Sequence, residues 1–316
     1  MGRLDLAVSK KLYIVGNGFD LWHDLPTSYW DFSKFAYELL SEIENYYALD
    51  FNQYNPWHDF ENALGDFDPD AFFDSYNEID VSADNFRPSF IYGLEDEITE
   101  QTNTHVDTIR EAFTDWINQI DVSKAIAKLK FPEYSLFMSF NYTSTLQTVY
   151  GIDGNRILHI HGNSEKLDEL VFGHGEEIHE NPAYDEDGEP TGDMFSDARG
   201  NARYPLYALK KPVDEVLARH EDYFDKLHNI ENIIVIGHSL NKIDHPYFRK
   251  INQVASNAYW TVVYYPEELE SGFIQSLIDC GVNPEHIQCY EYDIWISQIT
   301  TDLEGAETTH MHSIVC

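Results

Sequence analysis

KLYIVGNGFD, residues 11–20, holds an apolar run from Leu12 to Val15 that stops on Gly16-Asn17-Gly18. A strand with one solvated face alternates apolar and polar residues. One that is apolar at every position is buried on both faces, as in a parallel sheet covered by helices. Glycine at the stop permits a tight turn and lets backbone approach a neighbour or ligand with no Cβ in the way. After Pro26, Ser28 and Asp31 spell an S-x-x-D capping box. Phe32, Phe35, Ala36, Leu39, Leu40 and Ile43 follow at helical spacing, so the pattern predicts a long amphipathic helix behind the glycine turn.

The strand signature recurs at Tyr134–Phe140 (YSLFMSF), Arg156–His161 (RILHIH), Asn232–Ile236 (NIIVI), Tyr259–Tyr265 (YWTVVYY) and His286–Tyr290 (HIQCY). A helix is predicted from near Thr143 to Gly151 and another over Glu267–Asp279. Strands alternating with helices define an α/β fold, a Rossmann-like doubly wound parallel sheet with mostly right-handed crossovers. Residues 45–130 are helical, acidic and aromatic in pattern and read as a helical insertion within a single domain spanning 1–316. Residues 176–215 begin with a polar, Gly-, Pro- and Asp-rich stretch lacking periodicity, which predicts a long loop or lid.

The 56 acidic against 20 basic residues give a net charge of −36, which repels polyanions and argues against nucleic acid or an acidic membrane as a surface-wide partner. A local phosphate contact survives that field, because bulk charge is screened within roughly 10 Å at physiological salt. Cys280, Cys289 and Cys316 form no C-x-x-C pair, so no zinc ribbon or disulfide framework is encoded. With no signal-like or membrane-length apolar run, a cytoplasmic protein is expected.

Polar clusters close four of the predicted strands: Gly16-Asn17-Gly18-Phe19-Asp20, Asn141-Tyr142-Thr143, His159-Ile160-His161-Gly162 and Gly237-His238-Ser239-Leu240. Carboxyl ends of parallel strands face one crevice, where ligands of open α/β folds sit. Leu21 stands where the third glycine of G-x-G-x-x-G belongs, so the first cluster reads either as a phosphate turn or as a plain tight turn. Asp20 could meet a ribose hydroxyl or cap that turn. His159, His161, His174 and His238 lack H-x-H-x-D or H-E-x-x-H spacing, and no metal is expected. Gly237-His238-Ser239-Leu240-Asn241 imitates a serine-hydrolase elbow, with Asn241 in place of the last glycine. Asp244, His245, Asp293 and His310 are available as partners for Ser239.

KKLYIVGNGFDLWHDLPTSYWDF, SFNYTSTLQTVYG, ILHIHG, LVFGHG, IIVIGHSLNKIDHPYF and WHDFENALG together resemble the bacteriophage abortive infection AbiH family. That family in turn resembles, remotely, the sirtuin-like NAD-binding domains. The double resemblance implies a sirtuin-like NAD glycohydrolase of antiphage defence, hydrolysing NAD to nicotinamide and ADP-ribose without a metal. It implies Asn141 and His161 as catalytic residues. Gly16, Asn17, Gly18, Phe19, Asp20, Gly237, His238 and Ser239 would be the dinucleotide-binding ones; Glu61 and His174 are second-tier candidates whose role the sequence does not give. A non-catalytic sensor of ADP-ribose or NAD is the alternative in the same pocket. NADP, a homo-oligomer and a phage or host activator remain open.

Overall fold

The structure, a computed structural model, describes residues 10–49, 57, 59–164, 169–180, 192–265 and 270–298. Strands β1 (Lys11–Val15), β2 (Leu136–Ser139), β3 (Ile157–His159), β4 (Asn232–Ile236), β5 (Tyr259–Tyr264) and β6 (Ile287–Glu291) form one sheet in the order β3-β2-β1-β4-β5-β6. Every pairing is parallel, so all six carboxyl ends share one edge. The order reverses between β1 and β4. This is a Rossmann-like α/β sheet, and the reversal marks the place where doubly wound sheets open a crevice.

Leu12 to Val15 are buried on both faces, as the unbroken apolar run requires. Tyr13, Val15, Phe137, Ile157, Ile234, Ile236 and Val263 share a core with Phe19 and Leu146 on one side of the sheet. The helix His245–Val254 buries Tyr247, Phe248 and Ile251.

The chain groups into two compact units, one of Met1–Pro26, Ile120–Leu170 and Pro212–Cys316, the other of Thr27–Gln119 and Val171–Lys211. The first carries the sheet. The second is helical and begins well before residue 45, since the capping-box segment belongs to it. Ser28 Oγ accepts from the Asp31 N–H at 3.1 Å, and Asp31 Oδ2 accepts from the Ser28 N–H at 3.3 Å. The long helix expected there is two, Tyr29–Phe35 and Tyr37–Ile43, parted at Ala36, whose ψ of 22° breaks the helical path.

Ser89–Asn118 forms a single helix of 30 residues, about 45 Å long. It buries one stripe from Leu94 and Ile98 through Val106 and Ile109 to Phe113 and Ile117. Phe60 and Phe172 pack on Phe113, with ring centroids 5.8 and 4.3 Å away.

The expected loop or lid over 176–215 is corrected in part. Residues 181–191 lie outside the described residues, but Ser196–Ala202 and Tyr204–Ala208 are helices and Val213 starts another. Ala198 and Ala202, four residues apart, are fully buried, so a small-residue face holds the first of them in place. Among the described residues no helix is long and apolar enough to cross a membrane.

Candidate functional site

β1 and β4 pair in register from Lys11↔Asn232 to Val15↔Ile236, which brings the two glycine turns together at the strand ends. Gly16 donates to the Ile236 carbonyl at 3.0 Å, Gly18 to Gly237 O at 2.8 Å, and Phe19 to Gly16 O at 2.9 Å. A Cβ on Gly16 would stand 2.7 Å from Gly237 O, and one on Gly18 2.8 Å from Gly237 Cα. Gly237 has φ +61°, and a Cβ there would come within 2.3 Å of Phe19 N. Each glycine is therefore explained by the other turn.

The expectation that the amides of Gly16 to Phe19 cradle a pyrophosphate changes accordingly. Three of those four N–H groups already donate within the protein. Among the described residues, Asn17, which is exposed, is the one whose N–H has no acceptor. The Phe19 ring is fully buried, 5.8 Å from Tyr150 by ring centroid, and is a core residue.

Asp20 is 1% exposed and reaches the end of β2 instead of solvent. Its carboxylate accepts from Thr143 Oγ1 at 2.5 Å and from Thr145 Oγ1 at 2.8 Å, and the Asn141 side-chain amide adds a third hydrogen bond. Burial pushes the carboxyl up to about 6, and the three donors hold it from rising further. Of the two roles weighed for Asp20, a ribose contact and a local cap, neither matches this arrangement. The residue ties the first turn to the segment after β2.

Asn141 is 6% exposed. Its backbone N–H donates to Ser139 Oγ at 3.1 Å, and its carbonyl lies 3.1 Å from His159 Nδ1. The Gln147 and Asn163 side-chain amides sit 2.7 and 3.0 Å from His159 Nε2. Those contacts fit a neutral ring that donates from Nδ1 and accepts at Nε2. Among the described residues the Asn141 Oδ1 has no hydrogen-bond partner. A buried acceptor left unmatched is costly, and such groups mark places where a ligand or water completes the site.

His161 lies two residues past β3, as Asn141 lies two past β2, and Ser139 pairs with His159 across the two strands. The imidazole is 3% exposed and packs edge-on to Phe140, centroids 5.1 Å apart, with Tyr247 at 5.6 Å. Its Nε2 faces Asp244 Oδ1 at 3.8 Å, while His238 Nε2 faces Asp244 Oδ2 at 3.5 Å. His238 Nδ1 accepts from the Leu240 N–H at 2.9 Å, so its ring proton sits on Nε2 and points at the carboxylate. One buried carboxylate thus stands between two imidazoles.

Two left-handed residues, Gly237 and Leu240 (φ +54°), shape the chain that presents His238 and Asp244, and Asn241 Oδ1 caps the short turn before Asp244. Asp244 as the partner of His161 was missed from sequence. The only signal available was a short acidic motif just ahead of the Pro246 helix start. Ser239 is exposed on the same bend. His238 turns Nε2 to Asp244, His245 turns Nε2 to Leu240 O at 3.1 Å, and Asp293 is exposed. His310 lies outside the described residues. A triad around Ser239 is not what these residues build.

Glu61 and His174 belong to the helical unit. Glu61 Oε2 pairs with buried Lys211 Nζ at 2.8 Å. Fully buried His174 has Nε2 2.8 Å from Leu206 O, and its Nδ1 accepts from the Glu176 N–H at 3.2 Å.

The sheet and its polar edge define a doubly wound α/β protein whose buried polar side chains gather at the carboxyl ends of β1 to β4. The family model for bacteriophage abortive infection AbiH matches residues 12–264, and the chain belongs to that family. Membership indicates a part in abortive infection defence against bacteriophage. No curated protein matches the chain.

Proposed function

We propose that the protein is a sirtuin-like NAD glycohydrolase that consumes NAD during abortive infection, releasing nicotinamide and ADP-ribose. The observation that carries this reading is the matched offset of Asn141 and His161 past two paired strands, with an unpartnered amide oxygen on one and a carboxylate behind the other. Cleaving an N-glycosidic bond builds positive charge on the ribose, so a site needs to orient the sugar, steer water to its anomeric carbon and accept a proton.

Asn141 Oδ1 accepts a hydrogen bond from a ribose hydroxyl or from the water. Water bonds to the anomeric carbon as the bond to nicotinamide breaks, its electron pair leaving with the ring. The proton passes from water to the His161 imidazole, and the imidazolium is stabilised by Asp244 before it returns the proton to solvent. No metal is required. The exposed Asn17 N–H and the Gly237-His238-Ser239 segment border the same sheet edge and suit the remainder of the dinucleotide.

Purified protein is incubated with NAD, and free nicotinamide is followed. Release by the wild type, lost on Asn141→Ala or His161→Ala while dinucleotide binding persists, is expected. Binding without release in the wild type, with extract of phage-infected cells added to supply any activator, overturns hydrolysis and favours a nucleotide sensor. Labelling of Ser239 by a fluorophosphonate favours the serine hydrolase instead.

A further inference from the structure

We infer that Asp20 is a positioning residue that fixes which end of the Asn141 amide faces outward, so that the site takes a hydrogen-bond donor from its ligand, a sugar hydroxyl or a water. The ligand's identity rests on the function proposed above; the orientation of Asn141 does not. An ionised carboxylate only accepts hydrogen bonds. Thr143 and Thr145 already give it their hydroxyl protons, and the third group against it is the Asn141 side chain. Only the NH2 end of that amide can face a carboxylate, so the oxygen is turned away, and it is this oxygen that lacks a partner among the described residues.

The groups that face Asp20 are neutral: two hydroxyls and an amide. His23, three residues along, has its Nδ1 2.7 Å from Phe19 O and its Nε2 2.5 Å from the Tyr150 hydroxyl. Burial lowers its proton affinity below that of a free imidazole. Asp20 is therefore the group whose ionisation Asn141 feels. Protonation gives the carboxyl a donor of its own and removes the reason for the amide to hold one orientation. With a carboxyl pushed up to about 6, this happens within an accessible range.

Asp20→Asn keeps the shape and removes the constraint. The amide it introduces both donates and accepts, so it meets either end of the Asn141 amide and the site loses its fixed acceptor.

The test uses the full ligand-free chain. The Asn141 side-chain amide signals, assigned by their loss in Asn141→Ala, are followed by NMR as pH is varied. A titration with its midpoint near 6 in the wild type, absent in Asp20→Asn, is expected. Signals indifferent to pH across that range overturn the inference. The wild-type titration decides even if the variant does not fold. Calorimetry supplies the second readout, with NAD and with its analogues lacking the 2′- or the 3′-hydroxyl of the nicotinamide ribose as probes. The wild type is expected to bind one of the two deoxy analogues at least about tenfold more weakly than NAD, and Asp20→Asn to shrink that ratio toward one. An unchanged ratio in the folded variant contradicts the inference. Should the wild type bind no NAD while the NMR titration is present, the proposed function fails and the role of Asp20 stands.

Discussion

Ser139 and His159 face each other across β2 and β3, and this one register sets Asn141 and His161 level with each other beyond the sheet edge. The His159 ring then reaches the Asn141 carbonyl at 3.1 Å, tying the second strand end to the first. The sheet's register does the positioning that a loop alone would leave loose.

Two glycine substitutions are expected to act on stability with opposite signs. Gly237→Ala meets Phe19 N at 2.3 Å and has to hold φ +61°. The left-handed backbone costs about 1–2 kcal/mol and overpacking about 1–3 more, so a loss of roughly 2–5 kcal/mol is expected. Gly93 lies in the helix Ser89–Asn118 with nothing within 4 Å of a new Cβ, and Gly93→Ala is expected to stabilise by about 0.5–1 kcal/mol. Denaturant midpoints read both.

Asp20 links stability and activity with opposite slopes. Its folded-state carboxyl, at about 6, lies above the ordinary 3.8, so the folded protein holds an extra proton between those values. Stability is therefore fullest below about 4, falls as pH rises to about 6 and is level above, a change of about 3 kcal/mol from this group. The proposed hydrolysis uses the ionised form and is expected to rise through the same range. Asp20→Asn is expected to flatten its part of the stability profile, measured by urea titrations from pH 4 to 8 on both proteins.

Asp244 is expected to act on the chemical step more than on binding. Asp244→Asn keeps the shape but removes the charge that, in the proposed hydrolysis, steadies the His161 imidazolium, and kcat is expected to fall by about 10²-fold with KM for NAD changed less than about threefold. A rise in KM with kcat intact would mean that Asp244 serves binding alone.

Glu61 and Lys211 are expected to matter for folding. Their ion pair at 2.8 Å is almost wholly buried, and removing one member leaves a charge in the interior. Glu61→Ala is expected to cost about 3–5 kcal/mol. Replacing both residues with apolar ones of similar volume should recover much of that loss, as read by thermal unfolding.

The sheet was legible because Leu12–Val15 and Ile233–Ile236 are apolar at every position, a pattern that burial on both faces imposes. The glycines were legible as special positions, but not what they approach: Gly18 and Gly237 meet only because β1 and β4 are neighbours. The helices at 196–208 were hidden because SDARGNA packs through alanines and leaves no large apolar period. The start of the helix Ser89–Asn118 was obscured by Pro88 before it and Gly93 within it. The pairing of His161 with Asp244 joins residues from different strand ends, and no local pattern announces such a contact. Asp20 was visible as a residue, yet its three partners come from beyond another strand.

On the proposed function, Asn141 and His161 converge on one sugar, and a structure of His161→Ala with NAD bound decides whether they do. The nicotinamide ribose is expected at the ends of β2 and β3, with one of its hydroxyls or an ordered water donating to Asn141 Oδ1. A dinucleotide seated elsewhere, with that oxygen untouched, would contradict it.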